Sequence, residues 1–339
     1  MTKRQVVIDA LKFRKPAYVP WQWGPTIDCG EHLKKYLGVQ DLGPWLDNHF
    51  VGCGIDLGPW EDVGNDHVRD NYGVVWDRTV DKDIGTPCDW PIKQPRDLDR
   101  YQFPDVSADK AYAWIPAHLA RHRELFSVYD IGFSLYERAW TMRGMPDLLM
   151  DMVERPEFVD EMLDAICERN VIQVQRAVEL GVDMVHFGDD YGMQTGLIMG
   201  IANWRRFIKP RLARMYAPAV KAGKFCGMHS CGKVDSLFDD LVEVGLNMFN
   251  PFQPEVMDTF ALMKQYRGRL AFHGGMSVQK ILPFGTVEEV RDMTRRLLDA
   301  GANGGYVFSP SHAVPRDTPP ENLVAMAEVL KSQPGYSKS

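Results

Sequence analysis

The sequence predicts an α/β protein that folds as a single (β/α)8 TIM-type barrel with an N-terminal excursion. From about residue 108, short apolar runs alternate with amphipathic segments, the pattern of right-handed βαβ units and a parallel sheet. With two candidates nearer the N-terminus there are about eight strands, the number that closes a barrel. Nearly every candidate strand ends in polar or aromatic residues, as barrel enzymes require at the active-site face.

Composition narrows the class of protein. A chain of 339 residues is compatible with one barrel, and its net charge of −7 argues against a nucleic-acid partner. No apolar run reaches the ~20 residues that span a bilayer, and the N-terminus lacks the apolar core of a secretory signal. The six scattered cysteines then favour reduced thiols over disulfides. We therefore expect a cytoplasmic protein that binds neither membrane nor nucleic acid.

The N-terminal third contains the less regular elements. In chain order they are a lead-in helix at 3–12, a strand at 17–25, a helical stretch at 26–50, a strand at 50–56 and an excursion at 60–105 that favours a hairpin over a helix. The regular part follows, with strands at 126–130, 184–189, 225–229, 246–250, 270–274 and 305–309 and helices such as 157–180 and 287–300. A doubly wound sheet is the competing fold, but no glycine-rich phosphate-binding loop follows any strand.

The strongest chemical signal is the pair His229 and Cys231 at the end of the fifth candidate strand. Imidazole and thiolate are preferred zinc ligands, and side chains two residues apart on a strand lie on one side. A structural role is the alternative for an isolated pair. Catalytic zinc needs a third protein ligand and an open position, and His312 after the last strand is the first candidate. Other options for the third ligand are His273, Asp189 and Glu255.

Asp189 and Asp190 form the second candidate feature, directly after the strand at 184–189. Carboxylates there can bind a cation, orient a histidine or accept substrate hydrogen bonds. A solvated loop or a helix N-cap is the alternative. Because the two residues are adjacent, we expect only one to point into the barrel mouth. We predict catalytic roles for Asp189, Asp190 and His312, although His312 is equally compatible with a structural histidine.

Several further side chains near strand ends are predicted to bind substrate. Two tryptophans near residue 22 could wall a pocket, although core packing explains them equally well. The predicted substrate-binding residues are Trp21, Trp23, Asp56, Tyr136, Gln194, Asn250, Gln253 and His273.

These stretches together resemble the uroporphyrinogen decarboxylase superfamily. The segments that carry the resemblance are 188–192, 204–210, 229–234, 250–254, 311–312 and 317–322. The resemblance implies one barrel domain over residues 1–339, with its site in the mouth. The Pro, Gly, Ser and Lys composition of the carboxyl-terminal end predicts a frayed tail at 330–339.

The resemblance also implies a choice between two chemistries. The decarboxylases of the superfamily carry an N-terminal arginine-rich signature for substrate carboxylates, and the corresponding residues 19–28 contain no arginine. The corrinoid-dependent methyltransferase branch binds zinc through a His-x-Cys pair and a later cysteine. His229 and Cys231 match the pair, while His312 stands at about the place of the absent cysteine.

The resemblance therefore implies a zinc-dependent methyltransferase in a corrinoid-linked pathway, with zinc on His229, Cys231 and His312. Methylcobalamin or cob(I)alamin would come from a separate corrinoid protein, since no cobalamin-binding segment is evident. The small-molecule partner would be a methyl donor or acceptor, and a homodimer is one candidate assembly. Two alternatives stay open: a metal-free decarboxylase and a non-catalytic barrel that binds ligands or partners.

Overall fold

The computed structural model describes residues 1–337 and is organised around a curled sheet of seven parallel strands. In spatial order they are β1 (Phe50–Cys53), β6 (Phe126–Ile131), β7 (Met184–Gly188), β10 (Phe225–His229), β11 (Met248–Asn250), β12 (Ala271–Met276) and β13 (Tyr306–Pro310). All neighbours pair in parallel, so the carboxyl ends of the strands meet at one end of the sheet. We call this end the mouth.

The segment around Trp21 occupies the eighth position, between β13 and β1. Trp21 forms a parallel bridge with Phe308 of β13. The Gln22 N–H donates to the Phe308 carbonyl at 3.1 Å, and the His49 N–H donates to the Trp21 carbonyl at 3.2 Å. Pro20 and Pro25 lack N–H groups, which explains why the strand predicted at 17–25 is reduced to bridges. The predicted (β/α)8 barrel is confirmed with this shortened first strand.

The amino-terminal end of the barrel is apolar and closed. A lead-in helix, α1 (Lys3–Leu11), packs there against β6 and β13. Its residues Val7 and Leu11 join an interior cluster with Phe126, Val128 and other strand residues. The end opposite the mouth is therefore a hydrophobic core rather than a channel.

The remaining helices form the outer layer. They are α2 (Ile27–Leu37), α3 (Gly43–Leu46), α4 (Ile115–Arg121), α5 (Tyr136–Arg143), α6 (Met145–Glu154), α7 (Pro156–Glu179), α8 (Gly200–Asn203), α9 (Lys209–Lys221), α10 (Phe238–Glu243), α11 (Thr259–Gln265), α12 (Ile281–Phe284), α13 (Val287–Gly301) and α14 (Pro320–Lys331). The helices predicted at 157–180 and 287–300 correspond to α7 and α13. The helical stretch predicted at 26–50 is interrupted, because Gly38 ends α2 in a left-handed conformation (φ 68°).

The excursion forms a second, smaller sheet beside the mouth. Its four antiparallel strands are β2 (Glu61–Gly64), β3 (His67–Arg69), β4 (Val75–Asp77) and β5 (Thr86–Asp89). This agrees with the predicted hairpin-containing excursion. A two-stranded hairpin of β8 (Gly192–Met193) and β9 (Gly196–Leu197) follows β7.

The carboxyl-terminal residues pack back onto the barrel. The Gln333 side chain exchanges hydrogen bonds with the Val19 backbone, and the Tyr336 hydroxyl contacts the Asp47 carboxylate. Residues up to Tyr336 thus contact the barrel, and fraying of 330–339 stays a prediction; residues 338 and 339 lie outside the described part. Within residues 1–337, every helix is too short or too polar to cross a membrane.

Candidate functional site

Three potential metal-binding side chains converge at the mouth. His229 ends β10, Cys231 follows two residues later, and His312 lies just after β13. Their donor atoms all lie within 4.8 Å of one another, and the His229 Nε2 is 3.4 Å from the Cys231 Sγ. We call these three residues the donor cluster. The spacing of two residues was enough to predict that His229 and Cys231 lie together. His312 comes beside them only because the sheet closes into a barrel.

Asn250 sets the orientation of the His229 ring. The His229 Nδ1 is 2.6 Å from the Asn250 Oδ1, in register across β10 and β11. The Asn250 amide donates in turn to the His273 carbonyl at 3.0 Å, which identifies its oxygen as the acceptor toward His229. The His229 Nδ1 therefore carries the proton and its Nε2 keeps a lone pair toward Cys231.

Burial keeps the two histidines of this relay neutral. It lowers the pKa of His229, and it lowers the pKa of His273 to about 4. The His273 Nε2 lies 3.0 Å from the Gln22 carbonyl, so His273 is tied to the shortened first strand. Asn250 and His273, both predicted to bind substrate, are placed by these bonds to support His229.

Cys231 is held by its backbone as well as by its position. Its N–H donates to the Asp190 Oδ1 at 2.7 Å, and the same oxygen lies 3.8 Å from the His229 Nε2. Burial, then the negative charges of Asp190 and Glu137, raise the pKa of the thiol. The thiol stays protonated unless a cation compensates these charges, as a bound metal does.

Two glycines allow the loops after β7 and β10 to touch. A Cβ on Gly192 would lie 2.6 Å from the Cys231 carbonyl oxygen, a separation that side chains do not adopt. Gly232 has a left-handed backbone (φ 83°) and packs against Gly192. The Gly232 N–H donates to the Gln253 Oε1 at 2.5 Å, so the Gln253 side chain holds the loop that follows β10.

Asp189 and Asp190 have different environments despite being adjacent. Asp189 is fully buried and accepts hydrogen bonds from the N–H groups of Leu135, Tyr136 and Glu137 and from the Tyr191 hydroxyl. It thereby caps the N-terminus of α5. A helix cap was the structural alternative to a catalytic role for this residue. Its predicted catalytic role is corrected, because a side chain without exposed surface cannot reach a substrate. Burial raises its pKa to about 6.

Other predicted substrate-binding residues lie away from the donor cluster. Trp21 is fully buried against His49, with ring centres 4.4 Å apart, and Trp23 packs on Trp45 at 5.8 Å. Tyr136 is also buried, so all three aromatic side chains lie in the core, which is the alternative given above for the two tryptophans. Asp56 is exposed and lines a cavity, whereas Gln194 is exposed in the β8–β9 hairpin.

Two polar groups in the barrel were missed as site residues. The His186 Nδ1 lies 3.0 Å from the Asp130 Oδ1, on neighbouring strands. The available signal was that His186 is a polar residue between buried Val185 and Phe187 of β7, hence pointing inward. Glu137 is the second, and burial followed by the charges of Asp190 and Asp189 raises its pKa well above the usual range.

Two cavities adjoin at Asp130. One, of about 180 Å³, lies inside the barrel and is lined by Asp130, His186, Asn250 and His273 among others. The other, of about 280 Å³, opens between the ends of β1 and β6 and the excursion, with Asp56, Trp60, Tyr72 and Phe133 in its wall. Asn250 lines the inner cavity and contacts His229, so the inner cavity lies next to the donor cluster and shares Asp130 with the outer cavity.

Comparison with known proteins assigns the family. The sequence profile described as uroporphyrinogen decarboxylase (URO-D) matches residues 83–333. The chain belongs to the uroporphyrinogen decarboxylase family. This confirms the superfamily resemblance seen in the motifs around the donor cluster.

The family relatives are distant. A uroporphyrinogen decarboxylase of Cereibacter sphaeroides is 23% identical over 188 residues, which is 53% of this chain and 51% of that protein. The chain thus spans about half the length of these curated relatives. A uroporphyrinogen decarboxylase of Chlorobium phaeobacteroides is 20% identical over 98% of this chain and 99% of its own. At this identity the relatives leave open which reaction the chain catalyses.

A solved structure supports the fold over the whole chain. A methyltransferase from Methanosarcina mazei superposes with a TM-score of 0.70, covering 98% of both chains at 16% identity. This likeness confirms the barrel architecture of the URO-D fold, which is also found in a methyltransferase. The sequence relatives are named decarboxylases and the structural neighbour is named a methyltransferase, so the reaction has to be argued from the site.

Proposed function

We propose that this URO-D family protein is a zinc-dependent methyltransferase in a corrinoid-linked pathway. The observation that carries the proposal is the donor cluster, in which two imidazoles and one thiol converge at the mouth within 4.8 Å. His229, Cys231 and His312 would hold the zinc. These donors point to the metal, and methyl transfer is taken from the superfamily branch that the His-x-Cys pair resembles.

The donor set suits zinc in kind and spacing. Two nitrogens and a sulfur are common zinc ligands, and three protein ligands leave one position for a substrate. Zinc–nitrogen and zinc–sulfur bond lengths at a tetrahedral angle put the two donor atoms about 3.5 Å apart, and Nε2 of His229 lies 3.4 Å from Sγ of Cys231. The lone pair that the neutral His229 ring keeps on Nε2 is the electron pair that a zinc ligand donates.

The protein's own residues prepare the site. Asn250 holds His229 in the tautomer that presents Nε2, and Asp190 holds the Cys231 backbone so that the thiol points to the same space. Zinc, when bound, lowers the pKa of a thiol acceptor or polarises the oxygen or nitrogen of a methylated donor. His312 is exposed, which leaves this side of the cluster accessible to a substrate or to a docking protein.

The proposal includes a separate corrinoid protein that delivers methylcobalamin or cob(I)alamin at the mouth. It rests on the open mouth and on the superfamily branch that the His-x-Cys pair resembles. Copurification of the full chain with a corrinoid protein, seen by the visible absorption of cobalamin, would support it. A complex that persists when the mouth residue His312 is replaced by alanine would still support docking, because docking needs the surface and not the metal.

Metal-free decarboxylation of a tetrapyrrole is not favoured. Such a substrate carries many carboxylates and needs cationic partners. The outer cavity instead presents Asp56, Asp70 and Asp130, and its one arginine, Arg138, is paired with Asp70 at 2.8 Å. Turnover of a porphyrinogen by the purified protein would reverse this judgement.

Elemental analysis of the purified protein tests the metal. We expect one zinc per chain, lost in Cys231→Ser and retained in the control Cys88→Ser, since Cys88 is an exposed cysteine of the excursion. Thiol-dependent demethylation of methylcobalamin should disappear with the zinc. Equal zinc in both variants, or none in the wild type under metal-replete expression, would contradict the proposal.

A further inference from the structure

We propose that the outer cavity binds a small organic cation, which makes the substrate of the proposed methyltransferase a cationic molecule or one with a cationic end. Binding of the cation is independent of the proposed function, whereas its identification as the substrate rests on that function. The charge of the cavity, its aromatic wall and its position next to the donor cluster support this inference.

The cavity is acidic where it faces a ligand. Asp70 and Arg138 are both buried and neutralise each other. Two exposed carboxylates are left, Asp56 and Asp130. Asp56 accepts one hydrogen bond, from the Gly58 N–H at 2.8 Å, and Asp130 accepts one from His186, so both keep acceptor capacity. A ligand with positive charge is the match for this wall.

Three aromatic side chains complete the wall. Trp60, Tyr72 and Phe133 line the cavity together with the carboxylates. The Arg138 guanidinium already lies 3.9 Å from the centre of the Tyr72 ring and 5.4 Å from that of Phe133. The Arg78 guanidinium lies 5.2 Å from the centre of the Trp60 ring, so each of these rings already contacts a cation of the protein on part of its surface. Aromatic rings beside carboxylates are the usual means of binding methylated ammonium groups.

The position of Phe133 indicates that this wall is built for a purpose other than stability. Phe133 adopts a left-handed backbone (φ 47°), a conformation that bulky residues rarely take. Its ring packs on Trp76 with centres 5.1 Å apart, which holds it at the cavity edge. Strained residues of this kind cluster at ligand sites.

The cavity is joined to the proposed metal site. Asp130 lines both cavities, and Asn250 of the inner cavity contacts His229. The volume of about 280 Å³ suits a small molecule rather than a tetrapyrrole. A cation held by the outer wall would thus lie beside Asp130, which also lines the inner cavity next to the donor cluster.

Calorimetric titration with a matched pair of probes tests the inference. Choline and its uncharged isostere 3,3-dimethylbutan-1-ol differ chiefly in charge. At low ionic strength we expect choline to bind on the order of tenfold more tightly than the alcohol. Asp56→Asn combined with Asp130→Asn should abolish that preference, whereas Asp292→Asn, which removes an exposed carboxylate on α13, should leave it unchanged.

Two further variants separate this inference from the proposed function. In Cys231→Ser, which disrupts the metal site, the preference for choline should persist; the single variant Asp56→Asn, on an exposed loop, should weaken choline binding in a fully folded protein. Equal binding of both probes, or an undiminished preference in the double variant, would overturn the inference while leaving zinc binding unaffected. Absence of zinc from the wild-type protein, with its preference for choline intact, would overturn only the methyltransferase.

Discussion

The two ends of the barrel are built by the same strands and serve opposite purposes. At the amino-terminal end, Val7 and Leu11 of α1 and inward strand residues such as Phe126 form a sealed apolar cluster. At the mouth the inward and terminal residues are His229, Asn250 and other polar groups, many of them partly exposed. The difference shows that stability and chemistry are divided along each strand, as expected for barrel enzymes.

The largest expected effect comes from breaking the closed end. Phe126 is fully buried and packs on Phe50 and Phe225. Phe126→Ala should lower the free energy of unfolding by about 3–5 kcal/mol, measured by urea denaturation, while zinc per folded chain stays the same. Phe284→Ala is the control, because Phe284 is 78% exposed. A loss of zinc in proportion to the loss of stability would show that the two ends are not independent.

The second prediction compares two adjacent carboxylates at the mouth. Asp189→Ala leaves the three N–H groups at the start of α5 without their acceptor and should cost about 2 kcal/mol or more. Asp190→Ala should cost less in unfolding free energy, because Asp190 is partly exposed and holds one loop N–H. Equal destabilisation by both substitutions would contradict the capping role.

The third prediction concerns the support of His229. Asn250→Ala frees the ring to rotate and should weaken zinc binding about 10- to 100-fold with little change in melting temperature. Chelator competition measures the affinity. Asn303→Ala, an exposed asparagine after α13, is the matched control and should bind zinc normally. Unchanged affinity in Asn250→Ala would return Asn250 to the substrate-binding role predicted from the sequence.

The smallest effect is a pH dependence at the start of β1. Burial lowers the pKa of His49 to about 3, whereas the unfolded chain takes up a proton near 6.5. The stabilisation is complete above pH 6.5 and is lost as the pH falls below it, by about 1.4 kcal/mol per pH unit. His49→Gln in a Cys231→Ser background should reduce this slope in urea denaturation between pH 6.5 and 5, while His273, whose pKa burial lowers to about 4, keeps its own share of it. An identical slope in both proteins would exclude His49 as its source.

Much of the fold could be predicted because it depends on local patterns. Apolar runs such as 225–229 mark strands, and segments such as 157–180 have helical spacing, so the barrel followed from their alternation. The first strand and the helical stretch at 26–50 were less well predicted. Prolines shortened the former, and a left-handed Gly38 interrupted the latter.

Some features of the candidate site could likewise be predicted from local sequence, and others could not. The His229 and Cys231 pair and the candidacy of His312 came from residue type and position near strand ends. The structural roles of Asp189 and Gln253 and the burial of Trp21 did not, because they depend on neighbours from distant segments. Asp189, for example, is buried because the first turn of α5 packs against its carboxylate and donates backbone hydrogen bonds to it.

The sequence by itself determined the barrel, the family and the chemical types available at the mouth, since these follow from periodicity and residue identity. Only the tertiary structure decided which of two adjacent aspartates is buried, that His312 reaches His229 and Cys231, and that Asp56 and Asp130 share a cavity with three aromatic rings. The physical reason is that burial and proximity are set by contacts between residues far apart in the chain, which local patterns do not encode.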